Sequence, residues 1–185
     1  MSSKSKMKGN KWENDVCKLF GDVFNLSFKR VPTSGAMTGG QNAALLSLLS
    51  ESQKLLLRGD IIVPDELRNI VLECKSRKEF PYHQLLESSR ELNDWITQLD
   101  HDLTDSSLLG LLIFKANRRT PFVCYEKRWC TTNVSSPTSK CYLALKCSPT
   151  HINYNFNDKD YIIEPFTTEW IESNKEYMLT LCKGK

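Results

Sequence analysis

What the chain lacks narrows its class first. No apolar run in its 185 residues approaches the ~20 that a membrane helix needs, so a membrane partner is not expected. The basic opening, Met1-Ser-Ser-Lys-Ser-Lys-Met-Lys-Gly9, has no apolar stretch behind it and does not read as a secretory signal. A cytoplasmic setting is therefore expected, in a prokaryotic cell or in a host cell if the protein is viral. No internal repeat is visible. Charge of either sign is not in great excess: the formal net charge is +3 and the pI about 8.4, which only hints at an anionic partner. With 40% hydrophobic and 25% charged residues, the composition is that of a globular chain, long enough for one well-packed domain.

The seven cysteines exclude more than they suggest. An odd count and the missing signal argue against a disulfide framework. Cys124 and Cys130, like Cys141 and Cys147, leave five residues between them. Zinc-binding pairs usually leave about two to four, so buried free thiols are expected instead.

Charge is distributed unevenly. Lys4, Lys6, Lys8 and Lys11 open the chain with no acid among them, and residues 1–9 read as a flexible basic arm. The pairs Arg77-Lys78, Arg118-Arg119 and Lys127-Arg128 follow predicted strands. Such clusters can neutralise nucleic-acid phosphates, although a solvated surface gives the same pattern.

Periodicity supplies the elements. Trp12, Val16, Leu19, Phe20, Val23 and Phe24 form one stripe and predict a helix over 10–24. A short extended piece, 28–36, ends in a Ser-Gly turn, and 41–57 reads as a second helix. Asp60–Val63 and Ile70–Lys75 read as strands around a turn at 64–69, and a longer helix is expected over 82–99. Leu108–Lys115, Phe122–Glu126, Tyr142–Cys147 and Tyr161–Ile163 read as further strands, with 131–140 a loop and a last helix near 168–181. Strands interleaved with a crossover helix imply an α/β domain with a central mixed sheet flanked by helices.

One strand carries charge where packing does not ask for it. Side chains alternate along a strand, so Glu73 and Lys75 share a face while Leu72 and Cys74 share the other. Asp60 opens the neighbouring strand, where its carboxylate can approach that of Glu73. Two carboxylates and the Cys74 backbone carbonyl make a hard oxygen site for Mg²⁺, with Mn²⁺ able to substitute. A cation there activates water against a phosphodiester, and Lys75 can orient that water or neutralise the phosphate. A surface strand with a cross-strand ion pair is the plainer alternative, since Glu-x-Lys is common.

Glu13 falls between Phe20 and Phe24 on the apolar helix face. It is either a further site carboxylate, reaching the metal through water, or part of a capping box, Asn10-Lys-Trp-Glu13. Ser34, in the turn Thr33-Ser34-Gly35, either touches a phosphate or metal-bound water or simply makes the turn.

The series Lys8-Gly-Asn-Lys-Trp-Glu13, Arg30-Val-Pro-Thr-Ser-Gly35, Gly59-Asp60-Ile-Ile-Val63 and Leu72-Glu-Cys-Lys-Ser-Arg-Lys78 resembles the archaeal-type Holliday junction resolvases. These belong to the restriction-endonuclease-like PD-(D/E)XK superfamily. The resemblance covers about residues 8–128 and implies a nuclease core over 10–128. It implies a homodimer that uses Mg²⁺ to make paired nicks in four-way DNA junctions or other branched duplexes. It also implies an active-site set of Glu13, Asp60, Glu73 and Lys75, with Ser34 as the loop serine needed for cleavage. Gly59 stands where the superfamily motif has proline. The stretch 37–58 is longer than the family usually has and reads as an insertion; 129–185 reads as a C-terminal extension packed on the same domain. DNA-binding candidates are Lys4, Lys6, Lys8, Lys11, Arg30, Arg77, Lys78, Arg118 and Arg119. Two other readings remain open: a different nuclease of the superfamily (restriction, homing or repair), or a non-catalytic DNA-binding protein of the same fold.

Overall fold

The computed structural model describes residues 3–32, 58–103, 105–130 and 144–183. The expected helix over 41–57, the insertion at 37–58 apart from its last residue, the loop at 131–140 and Ser34 lie outside the described residues. The described elements are α1 (Ser3–Phe24), β1 (Lys29–Arg30), β2 (Ile61–Ile62), β3 (Ile70–Arg77), α2 (Arg90–Asp102), β4 (Leu109–Ala116), β5 (Phe122–Glu126), β6 (Ile152–Phe156), β7 (Lys159–Pro165) and α3 (Thr168–Lys183).

Five strands form one mixed sheet in the order β3-β4-β5-β7-β6. β3 and β4 run parallel, with α2 as their crossover, and every other pairing is antiparallel. β1 and β2 form a separate two-stranded ribbon beside β3. Ile70, Leu72 and Cys74 of β3 pack with α1 and α3, while Val71 packs with Leu92, Trp95, Ile96 and Leu99 of α2. The architecture is α/β, a central mixed sheet flanked by helices, as in the restriction-endonuclease-like fold. No helix among the described residues is long and apolar enough to cross a membrane.

The α1 stripe seats that helix on the sheet. Trp12, Val16, Phe20 and Phe24 recur every four residues and are all buried, each contributing roughly 1.5–3 kcal/mol. The helix ends where Asn25 takes a left-handed conformation (φ 56°) and its N–H returns to the Gly21 carbonyl at 2.8 Å. At the other end α1 begins at Ser3 rather than residue 10, so the basic opening segment is helical. Asn10 is thus inside the helix and cannot be an N-cap, which removes the capping-box explanation of Glu13.

Four further expectations are corrected. The helix over 82–99 is broken into a short 3-10 turn at Tyr82–Leu86 and α2. Ser89 makes the break: its hydroxyl accepts the Leu92 N–H at 3.3 Å, and its own N–H donates to the Tyr154 hydroxyl at 2.9 Å. Within the strand expected at Tyr142–Cys147, the described residues make only an isolated bridge, Leu145 to Cys130. There the Asn174 side chain bonds the Lys146 N–H and carbonyl in place of a ladder partner. Cys130 and Cys147 are joined as a disulfide, whereas Cys17, Cys74, Cys124 and Cys182 are free and buried as expected. Finally, β6 is an unanticipated strand, joined to β7 by Asn157-Asp158 with φ of 50° and 59°, both positive as tight hairpins require. The described part of 129–185 therefore contributes two strands, β6 and β7, to the main sheet.

Candidate active site

β3 is an edge strand of the main sheet, and its free edge is where charge collects. The Asp60 N–H donates to the Leu72 carbonyl at 2.8 Å, and the Asp60 carboxylate (Oδ2) accepts the Cys74 N–H at 2.9 Å. Asp60 thus replaces a strand partner with one backbone bond and one side-chain bond. In an extended strand the N–H and C=O of a residue point to the same side. The Cys74 carbonyl therefore faces the same edge as the Asp60 carboxylate.

Gly59 makes this approach possible. Its φ is +66°, and a Cβ there would lie 2.5 Å from the Leu72 carbonyl oxygen. Proline, with φ fixed near −65°, could not occupy the position. The departure from the superfamily's proline is thus a consequence of how closely this chain crosses β3.

Glu73 and Lys75 lie together on the α2 face of β3. Lys75 Nζ is 2.5 Å from Glu73 Oε1, and Glu73 is 1% exposed. Gln98 of α2 closes a triangle, donating to Glu73 Oε1 at 2.7 Å and accepting from Lys75 Nζ at 2.8 Å. Glu13 reaches the edge from α1 and pairs with Arg30 at 3.3 Å. The Arg30 guanidinium also donates to the Val31 carbonyl at 3.3 Å. Glu13 and Asp60 are each only 8% exposed, so their charges interact through little water.

The electrostatics bind these groups into one cluster. Burial first, and then the Asp60 charge, push the Glu73 carboxyl up to about 8, against the opposing pull of Lys75. Burial and Asp60 raise Glu13 likewise, with Arg30 and Lys75 lowering it. Asp102, at the end of α2, is raised by burial and by Asp60. Gathered like charges that cannot all ionise cheaply are what a divalent cation relieves.

Among the described residues no group of three or more His, Cys, Asp or Glu side chains is assembled as a metal cage. The donors that could hold a cation of the Mg²⁺ or Mn²⁺ class are the carboxylates of Asp60 and Glu73 and the Cys74 carbonyl, all oxygen, and the Glu13 carboxyl feels the charge of Asp60. The structure thus brings together Glu13, Asp60, Glu73 and Lys75. Sequence reasoning missed Gln98 and Asp102. Gln98 sits beside the apolar stripe of an amphipathic helix, where a polar residue looks like ordinary solvent-facing surface.

The candidate DNA-binding residues divide. Lys8, Lys11, Lys78, Arg118 and Arg119 are exposed. Arg30 turns inward to Glu13, and Arg77 pairs with Glu91 while its guanidinium lies 5.4 Å from the centre of the Trp95 ring system. The side chains of Lys4 and Lys6 lie outside the described part of the structure.

The raised carboxyls make a pH-dependent expectation. A folded-state value above the unfolded one favours the fold at low pH, and that contribution is lost as pH rises through the folded value. Without metal, the melting temperature should fall by several degrees between about pH 5 and pH 8. Saturating Mg²⁺ should restore it at pH 8 and do little at pH 5, because proton and cation compete for Glu73. Thermal melts at both pH values, with and without Mg²⁺, check this.

A family model described as "Phage putative PDDEXK endonuclease" matches residues 4–181. The match runs through the C-terminal third, so β6, β7 and all but the last two residues of α3 lie within the matched region. No curated protein and no solved structure matches the chain.

Proposed function

The chain belongs to this phage PDDEXK endonuclease family, and on that premise we propose that it is a Mg²⁺-dependent, structure-selective DNA endonuclease resolving four-way junctions by paired nicks. The observation that carries the proposal is that β3 holds the Glu73–Lys75 pair while Asp60 is bonded to the N–H of Cys74, the residue between them.

Asp60, Glu73 and the Cys74 carbonyl would hold the cation, with Mn²⁺ able to substitute and Glu13 contributing through water. A cation held there would lower the pKa of the attacking water and offset charge on the scissile phosphodiester. Lys75 holds its ammonium beside that site, where it can orient the attacking water and neutralise the charge that grows on the phosphate. Gln98 fixes both Lys75 and Glu73, so neither must reorganise when substrate arrives. Arg30 orients Glu13. Ser34, by its place in the resemblance, would touch the phosphate or the metal-bound water.

Junction selectivity is supported by the resolvase resemblance and by the exposed basic residues, which suit recognition of backbone geometry rather than base edges. Lys4, Lys6, Lys8 and Lys11 on α1, with Lys78, Arg118 and Arg119, would contact phosphates. A homodimer with two-fold symmetry would set two such sites on opposing strands of one junction.

The test is cleavage of a labelled four-way junction and of its separate linear arms with Mg²⁺. Paired cuts near the crossover, at least about tenfold faster than any cut in the arms, are expected. Equal cutting of junction and linear duplex would instead identify a nuclease of the same family that acts on ordinary duplex.

A further inference from the structure

We propose that an aromatic and basic cleft beyond the C-terminal ends of β3 and β4 binds one unstacked nucleotide of a DNA strand next to the active site. This rests on reading the chain as a DNA nuclease and identifies the feature of the substrate that the enzyme grips.

The cleft has a volume of about 520 Å³, within the usual range of small-ligand sites. Tyr82 and Phe122 line it, with ring centres 5.5 Å apart, and Phe80 supports Tyr82 from below at 5.1 Å. The Tyr82 hydroxyl accepts the Ala116 N–H at 3.2 Å, which fixes the ring in place. A fixed aromatic wall lining an open cleft is a stacking platform for a flat, apolar-faced ligand.

The polar lining narrows the ligand to a nucleotide. Asn117 and Thr120 supply donors and acceptors for a base edge, and Arg119 and Lys78 supply positive charge. Arg119 is exposed and makes no ion pair with any described residue. Lys78 meets Glu79 at 3.6 Å, but both side chains are about 85% exposed, so that pair leaves Lys78 largely available to a phosphate.

The cleft begins just past the end of β3, the strand that carries Glu73 and Lys75. Lys75 and Arg77 point from the same face of β3, roughly 7 Å apart. Arg77 lies over Trp95, and Trp95 stacks on Phe80 at 5.3 Å. Trp95 and Phe80 are themselves buried, so this stack fixes Tyr82 relative to the face of β3 that carries Lys75. A strand with its phosphate at the active site can set a neighbouring unstacked base against Tyr82. Paired and stacked bases inside a continuous duplex cannot offer a free face to this wall, whereas bases at a branch point or in a single strand can.

The experiment measures binding of full-length protein to a labelled oligothymidylate and to a blunt duplex of equal length, without divalent cation. Wild type should bind the single strand more tightly. Tyr82→Leu should weaken that binding roughly tenfold while changing duplex binding less than about twofold, and Tyr82→Phe, which keeps the ring and loses only the hydroxyl's hold on the Ala116 N–H, should weaken it less than about threefold. Arg119→Ala, at an exposed position that does not support the fold, should reduce the slope of log affinity against log salt by about 0.7 on the single strand. The proposal is overturned if Tyr82→Leu and Arg119→Ala both match wild type on oligothymidylate, or if each weakens duplex binding equally. Nicking of supercoiled plasmid with Mg²⁺ separates the two layers. Tyr82-dependent single-strand binding without nicking would remove the nuclease reading and leave the cleft. Nicking with wild-type binding by both variants would remove the cleft and leave the nuclease.

Discussion

Asp60→Asn should lower Mg²⁺-dependent DNA cleavage by at least about a thousandfold while changing DNA affinity less than about threefold. The substitution is close to isosteric. An asparagine side-chain oxygen can still accept the Cys74 N–H, and the backbone bond from residue 60 to the Leu72 carbonyl does not involve the side chain. What disappears is one of the two carboxylate charges proposed to hold the cation. Glu73→Gln removes the other, and its amide oxygen can still accept from Lys75. Because Glu73 is buried and its carboxyl is pushed up to about 8, Glu73→Gln should also stabilise the metal-free protein near neutral pH. Single-turnover nicking of supercoiled plasmid, paired with fluorescence anisotropy on the same DNA, reads both quantities. Cleavage near the wild-type rate in either variant would break the proposed assignment.

Lys75→Ala should slow the chemical step by roughly a hundred- to a thousandfold with little change in KM, the range seen when one preorganised charge stabiliser is removed. Lys75 sits between Glu73 and Gln98, where its compact ammonium meets two oxygens. Arginine should not restore the rate, because a planar guanidinium cannot reproduce that point-like contact. A second signature follows from the sign of the interaction. Lys75 lowers the Glu73 pKa, so its loss should move the low-pH limb of the rate profile to higher pH. A pH–rate series on wild type and Lys75→Ala measures this; an unshifted limb would mean that the two groups do not act as a unit.

Much of this site was legible because strand periodicity is rigid. Once Ile70–Lys75 was read as a strand, Glu73 and Lys75 had to share a face, and the structure places them 2.5 Å apart. Asp60 was legible from its position at the start of the preceding strand, but the reason it reaches β3 was not. That depends on the positive φ of Gly59, a property of backbone and not of pattern. Glu13 was ambiguous until the start of α1 was known, since a cap and a site carboxylate look alike in sequence.

Tertiary context decided what could not be read. Gln98 is defined by what lies across from it on β3, and nothing in its own helix marks it. Tyr142–Cys147 has the composition of a strand, yet in its described part Asn174 and the Cys130–Cys147 disulfide take the place of ladder partners. In 82–99 the apolar spacing continues past Ser89, but Tyr154 from a distant hairpin stabilises the break. β6 was missed because its alternation is short and polar, with Tyr154 its one fully buried side chain. Its Asn157-Asp158 turn was the available signal.

On the proposed function, Asp60 and Glu73, carboxylates on adjoining β-segments, hold a divalent cation beside β3. Mn²⁺ titration calorimetry on wild type and Asp60→Asn, at pH 8 and without DNA, addresses it most directly. Saturable binding to wild type that Asp60→Asn weakens by at least about tenfold is the expected result. Equal binding by the two proteins would contradict it.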